Sequence, residues 1–296
     1  MRRSFATLDV FSERRFSGNP LAVVLDAGGL DAEAMQAIAR EFNHPETVFV
    51  FSPANPAHRA RLRIFTPARE LPFAGHPTVG TAVLLGLRDA AAPGCEFVLE
   101  EEIGSVPCRA EAKGPAEGFA RFTIPRLPEP AGAAAEAGRI AAALGLRAAE
   151  IGFDDFRPSR WSAGNPFTFV PVAGLGTIGR CRSDPGGFSD VFGLEGVYIF
   201  CRETVGPGNA FHARMFAPAL GIAEDPATGS AAAALAGLLA GRGALDDGMH
   251  AFVIEQGYEM SRPSLIELEI EIASGKLTSV SIGGSAVVVT EGTLEA

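Results

Sequence analysis

The chain writes one stretch twice: FTPARELPFAGHPTVGTAVLLGL at residues 65–87 and FAPALGIAEDPATGSAAAALAGL at residues 216–238. Aligned on Gly80-Thr81-Ala82 and Gly229-Ser230-Ala231, His76-Pro77 falls on Asp225-Pro226. One copy of the turn therefore carries a histidine and the other an aspartate. A second echo runs in step with the first, since Ser17-Gly18-Asn19-Pro20 before an apolar run recurs as Ala163-Gly164-Asn165-Pro166 before another. The repeat spans about half the chain, which implies two copies of one fold unit and excludes a short-period solenoid.

Each copy has the same design. Pro and Gly punctuate an extended run that ends at a turn, and a small, Ala-rich segment of good helix formers follows, with a hydroxyl residue near its start. Helix starts are expected after Pro77 and Pro226. Amides at such a start lack partners within the helix and sit at the positive end of its dipole, so they suit a phosphate or carboxylate. Two facing starts would hold a small acidic molecule between His76 and Asp225. Ordinary glycine-rich strand-to-helix turns would give the same pattern without a ligand.

The 296 residues suffice for two domains, and with 47% hydrophobic and 20% charged residues they describe a globular protein. A formal charge of −10 and the absence of a Lys/Arg run argue against nucleic acid, whose binding rests on phosphate neutralisation. No segment approaches the roughly 18 apolar residues of a membrane span, and Met1-Arg2-Arg3 leads straight into an alternating strand pattern, so a cytoplasmic location is expected. Cys95, Cys108, Cys181 and Cys201 are scattered, without metal-ligand or disulfide spacing, and read as small buried hydrophobes. Lys113 and Lys276, the two lysines, lie in no motif, which argues against Schiff-base and pyridoxal phosphate chemistry.

Alternation predicts strands at 5–11, 21–25, 46–51, 61–65, 96–99, 104–111 and 120–124. Asp31 is a natural N-cap for a helix to Phe42, with Met35, Ile38 and Phe42 on one stripe. Glu46 opens its strand on the face of Val48 and Val50, where a carboxylate sits either at a solvated edge or in a cavity. Pro125 to Pro130, with three prolines in six residues, reads as a stiff linker. Beyond it come a helix over 133–144 and strands at 167–172, 196–201, 211–216, 251–255, 264–272 and 277–289, the last free to return to the first half. Many strands, few helices and one central helix per half give an α+β fold of two pseudo-symmetric barrel-like domains, residues 1–126 and 131–296.

Gly18-Asn19-Pro20, Glu46-Thr47-Val48-Phe49-Val50, Pro72-Phe73-Ala74-Gly75-His76-Pro77, Glu224-Asp225-Pro226-Ala227-Thr228-Gly229-Ser230, and Gln256-Gly257 with Arg262-Pro263 occur in this order. Together they resemble the PhzF-like isomerases of phenazine biosynthesis, within the diaminopimelate-epimerase-like fold. The resemblance implies two pseudo-symmetric domains with the active site in the cleft between them, usually a homodimer, and no metal or organic cofactor. It makes Glu46 the general acid/base, His76 and Asp225 its polar partners, and Gly75, Gly229 and Ser230 donors to a substrate carboxylate. Two departures stand out: His44-Pro45 precedes the glutamate where small or apolar residues are expected, and Ser261 replaces a glycine before Arg262-Pro263.

The expected chemistry is a cofactor-independent isomerisation, in which a buried carboxylate takes a proton from one carbon and returns it to another while helix-start amides and His76 stabilise the charge. Family members do this with dihydro-3-hydroxyanthranilate. One alternative is an amino-acid racemase on the same fold; such enzymes use two opposed cysteines, and the matching positions here are read as Glu46 and Asp225. The other is a binding protein that has lost turnover, against which the intact Glu46, His76, Asp225 and Ser230 argue. His44, His58, His212 and His250 are read as surface or packing residues, and Trp161 as core or cleft wall.

Overall fold

A computed structural model of the chain describes residues 1–89, 94–183 and 185–296, which form two compact units: Met1–Pro125 with Ser281–Ala296, and Arg126–Val280. In chain order the first contains β1 (Arg2–Val10), β2 (Asn19–Val24), α1 (Ala32–Phe42), β3 (Glu46–Phe51), β4 (Ala60–Phe65), β5 (Glu70–Leu71), α2 (Gly75–Arg88), β6 (Cys95–Glu101), β7 (Gly104–Ala112) and β8 (Glu117–Thr123). The second contains β9 (Glu129–Pro130), α3 (Ala137–Leu144), β10 (Ser159–Ser162), β11 (Pro166–Pro171), α4 (Leu175–Ile178), α5 (Pro185–Phe192), β12 (Gly196–Cys201), β13 (Phe211–Ala217), β14 (Ile222–Asp225), α6 (Gly229–Ala240), β15 (Gly248–Gln256) and β16 (Ser264–Ala273). The final strand, β17 (Lys276–Glu295), runs from the second unit into the first.

The ladders of the first unit close on themselves. β1 pairs with β2, β2 with β3, β3 with β4, β4 with β6, β6 with β7 and β7 with β8, and β17 pairs with both β8 and β1. Eight strands thus make a mixed barrel, parallel only at β2–β3 and β4–β6. Its axis is α2. A helix apolar on every side has to be buried, and α2 is covered from Gly75 through Leu85. Small residues let it fit: a Cβ on Gly80 would sit 2.6 Å from both Leu21 Cδ2 and Val10 Cγ2. Outside the barrel, α1 lays Met35 and Ala39 on Val24, Phe49 and Phe65.

The second unit runs through the same ladders. β10–β11 is antiparallel, β11–β12 parallel, β12–β13 and β13–β14 antiparallel, β13–β15 parallel and β15–β16 antiparallel. Here α6 is the buried helix, covered at ten of its twelve residues. The outer face, Val170, Val172, Val197 and Ile199, packs with Ile140, Leu144, Phe188 and Phe192 from α3 and α5.

Three local expectations change. The helix expected over 133–144 forms only as Ala137–Leu144, its N-cap Glu136 making no capping bond, because tertiary packing overrides the propensity of the preceding alanines. The proline-rich 125–130 segment is not a free spacer throughout: Glu129 and Pro130 pair with Ser162 and Trp161, on an edge where a missing N–H is tolerated. The first buried helix begins at Gly75, so Pro77 and His76 lie inside its first turn.

Candidate active site

Glu46 stands at the first position of β3, in register with Leu21 of β2, and is only 9% exposed. Its placement follows from the turn before β2. Gly18 holds φ +67 there, and a Cβ would lie 2.3 Å from Val10 O, so only glycine brings Asn19-Pro20 back onto β1. His76, 4% exposed, occupies the second position of α2. Its Nε2 lies 3.4 Å from Glu46 Oε2. Burial pushes the His76 imidazole down to about 3, against the raising effect of a hydrogen bond with Pro20; nearby His44 lowers it further. Proline has no N–H, so the ring donates to the Pro20 carbonyl. A neutral imidazole donating there turns an unprotonated Nε2 towards Glu46, and the pair has room for one shared proton.

The second unit treats its aspartate differently. Asp225, 8% exposed, ends β14, and α6 starts only at Gly229. The two aligned residues therefore occupy different local structures, one in a helical first turn and one at a strand end. Thr228 Oγ1 donates to Asp225 Oδ2 at 2.5 Å. Gln256 clamps this turn: its Nε2 donates to Asp225 O at 2.8 Å and Thr228 Oγ1 at 3.0 Å, and its Oε1 accepts from Thr228 N at 3.1 Å. Gly257 is fixed by contact, since a Cβ there would sit 2.5 Å from Pro226 O. Arg214 holds the preceding residue with paired 2.8 Å bonds to Glu224.

Of the helices in the first unit, the outer one is capped and the buried one is not. Exposed α1 is capped by Asp31, which accepts from Ala34 N at 2.8 Å. Neither Ala74 before α2 nor Thr228 before α6 makes a side-chain cap bond. Two buried helix starts thus present main-chain donors at Gly75 and at Gly229 and Ser230, next to His76 and Asp225 respectively. Each of these starts, taken within its own unit, can bind an anion.

The parallel ladders add one correspondence: Glu46 opposes Leu21 just as Gly196 opposes Phe167, so the counterpart of Glu46 in the second unit is Gly196. The repeat carries a basic carboxylate at this position once only. Sequence reasoning gave no role to Gln256 or Thr228, though Gln256-Gly257 marked the place. It also passed over Tyr198, fully buried in the row Phe169–Tyr198–Met215–Asp225.

Trp161 packs on Gly237 of α6 and on its C-cap Gly241, about 12 Å along the axis from Gly229, so it is half-buried against the far end of this helix and not part of the helix start. His58 bonds Glu100 at 2.9 Å and His250 the Asp246 carbonyl at 2.8 Å. His212 is buried at 1% exposure between Glu255 and Glu259. Among the described residues no three His, Cys, Asp or Glu side chains converge to hold a metal ion, and no helix is long and apolar enough to cross a membrane.

Residues 8–292 match the family model described as phenazine biosynthesis-like protein, PhzC-PhzF. The chain is 50% identical to an uncharacterized isomerase of Mesorhizobium japonicum over 99% of its own length and 98% of the relative's. It is 34% identical to the trans-2,3-dihydro-3-hydroxyanthranilate isomerase of Pseudomonas chlororaphis, covering 98% of each. Among solved structures, the PhzF-family phenazine biosynthesis protein of Bacillus anthracis superimposes with a TM-score of 0.87 at 27% identity over 100% of both chains.

Proposed function

This chain belongs to the PhzC-PhzF, phenazine biosynthesis-like family of isomerases, and from that we propose that it moves a proton between two carbons of a small carboxylate-bearing substrate without a cofactor. Glu46 takes and returns the proton. His76 shares it, Asp225 orients the substrate, and the amides at Gly75, Gly229 and Ser230 receive the carboxylate. The protein acts as a homodimer.

The observation that carries this reading is the buried Glu46–His76 pair, 3.4 Å apart, at the uncapped start of α2. A neutral imidazole against a carboxyl is a proton-sharing unit, and the adjacent amides favour the negative charge that builds when a carbon next to a carboxylate or enamine loses its proton. The asymmetry of the repeat supports a proton shift over racemisation. Racemisation needs one group to remove a proton and a second to deliver one to the opposite face. A shift along a conjugated system needs a single group that gives back what it took, and Gly196 provides no second carboxylate opposite Phe167. His44, close enough to His76 to disfavour its charge, adds a bulky polar neighbour that would tune substrate choice.

Incubation with trans-2,3-dihydro-3-hydroxyanthranilate and related cyclic acids in heavy water, followed by mass spectrometry, tests the proposal. Wild type is expected to isomerise one of them with uptake of a single deuterium. Glu46→Gln should slow this by about 100-fold or more, the usual worth of a positioned acid/base. Exchange at the wild-type rate in Glu46→Gln would end the assignment of Glu46.

A further inference from the structure

Glu101, the last residue of β6, is 7% exposed, and among the described residues Thr78 is the group bonded to its carboxyl. The charged groups around it are committed elsewhere. On β4, Arg63 makes paired 2.6 Å bonds to Glu70 of β5, and Arg61 lies over the Phe51 ring. On its own strand, Glu100 accepts from the Ala54 and Asn55 amides and bonds His58. Cys108 of β7 is a thiol pushed up by burial and then by Glu101 itself. From α2, the group that reaches Glu101 is Thr78.

The Thr78 contact fixes a proton. Thr78 Oγ1 lies 2.7 Å from Glu101 Oε1 and also 2.7 Å from the carbonyl of Ala74, the N-cap of α2. Both are hydrogen-bond distances, and a single hydrogen shared between them would bond each only weakly, so two full bonds need two hydrogens. A threonine hydroxyl has one, and the Ala74 carbonyl has none. Glu101 supplies the second hydrogen when it is a neutral acid, and the chain then runs from the protonated Glu101 to Thr78 and from Thr78 to Ala74, two residues before His76.

We propose that Glu101 is a positioning residue for His76: as a neutral acid it donates to Thr78 and so frees the threonine hydrogen to hold the first turn of α2. Once Glu101 ionises, the Thr78 hydrogen is drawn to the carboxylate, the bond to Ala74 is lost, and the turn that carries His76 loosens. Burial, opposed only by the Thr78 bond, raises Glu101 from 4.5 to about 8, which places the change in reach of ordinary conditions. A cavity of about 440 Å³ lined by Glu101 with Arg61, Arg63, Glu70 and Pro72 gives its proton a way out. Glu101 serves the reaction only if His76 belongs to the reacting site, as proposed above, but its proton can be read without any substrate.

The test is an NMR titration of side-chain-labelled protein from pH 5 to 10. In wild type, a glutamate carboxyl signal absent from Glu101→Gln is expected to titrate near 8, and the His76 ring signals to shift with the same midpoint. Glu101→Gln keeps a permanent donor to Thr78, so its His76 signals should stay flat across that range. Thr78→Val should leave Glu101 titrating while His76 no longer follows. A Glu101 signal titrating near 4.5, or a His76 shift that survives in Glu101→Gln, overturns the proposal. Loss of isomerase activity on every acid offered bears on the proposed function and leaves these signals unaffected.

Discussion

His76 and His212 are buried to nearly the same degree, 4% and 1% exposed, yet their surroundings favour different protonation states. His76 donates to a carbonyl, and burial keeps it neutral. His212 has a carboxylate at each nitrogen, Glu255 at 2.9 Å and Glu259 at 3.1 Å, so both nitrogens must donate. Burial disfavours its charge, but the bonds to Glu259 and Glu255 outweigh burial and raise it. The pH dependence of stability follows with opposite signs. For His76 the folded value near 3 lies below the unfolded 6.5, so the unfolded chain takes the extra proton as pH falls. Its share of stability is full above 6.5 and declines below, by about 3 kcal/mol at about pH 4. Urea unfolding of His76→Gln should show an acid limb flatter than wild type by about that amount; an unchanged limb would mean that His76 is charged in the folded protein. For His212 the contribution is full below 6.5 and fades as pH rises through its elevated folded value. Glu255 and Glu259, held low by the His212 bonds despite burial, contribute above 4.5 and fade as pH falls through their depressed values. Replacing His212 with Leu strands two carboxylates and should cost about 3 kcal/mol or more at neutral pH, measured as a fall in unfolding midpoint. A change under 1 kcal/mol would show that the network is solvated.

At the scale of elements, the strands were legible because a sheet with one buried face writes a period of two, and α1 because its cap and stripe agree. The duplicated stretch correctly announced two buried helices. What it hid was where each begins. Pro77 was expected to precede the helix and is its third residue, which a helix tolerates because the first turn has no use for its N–H. Gln256, Thr228 and Glu101 were missed for a different reason. Each acts through a partner more than 20 residues away or through a hydroxyl with many possible partners, and single-chain periodicity carries no such information. The departure at Ser261 is explained by the backbone: its φ is 57, in the left-handed region, within the turn where Arg262 N donates to Gly257 O at 3.0 Å. Serine is strained there by roughly 1 kcal/mol, of which a glycine would lose about half to unfolded-chain entropy. Ser261→Gly should therefore raise stability by about 0.5 kcal/mol and leave the Gln256 clamp in place. A loss of stability would mean that the serine hydroxyl holds the turn.

At the scale of the whole molecule, one strand decides whether the first unit exists. Ala286 and Val287 of β17 are in register with Val10 and Asp9 of β1 on one side and with Gly118 and Glu117 of β8 on the other. Ile282 and Ala286 are fully buried. The barrel that places Glu46 against His76 is thus closed by residues more than 200 positions away in sequence. Without them β1 and β8 become open edges, and the apolar face around α2 meets water. A chain ending at Val280 should lack the folded first unit, visible as loss of the His76 ring signals from their buried positions and as self-association through the exposed edges. Adding a peptide of residues 276–296 should restore monodisperse protein, because the missing piece is a strand with two waiting partners. If the truncated chain keeps its His76 signals and stays monodisperse, β17 is an ornament on a barrel that β1 and β8 can close alone, and the register read here is not what holds the site together.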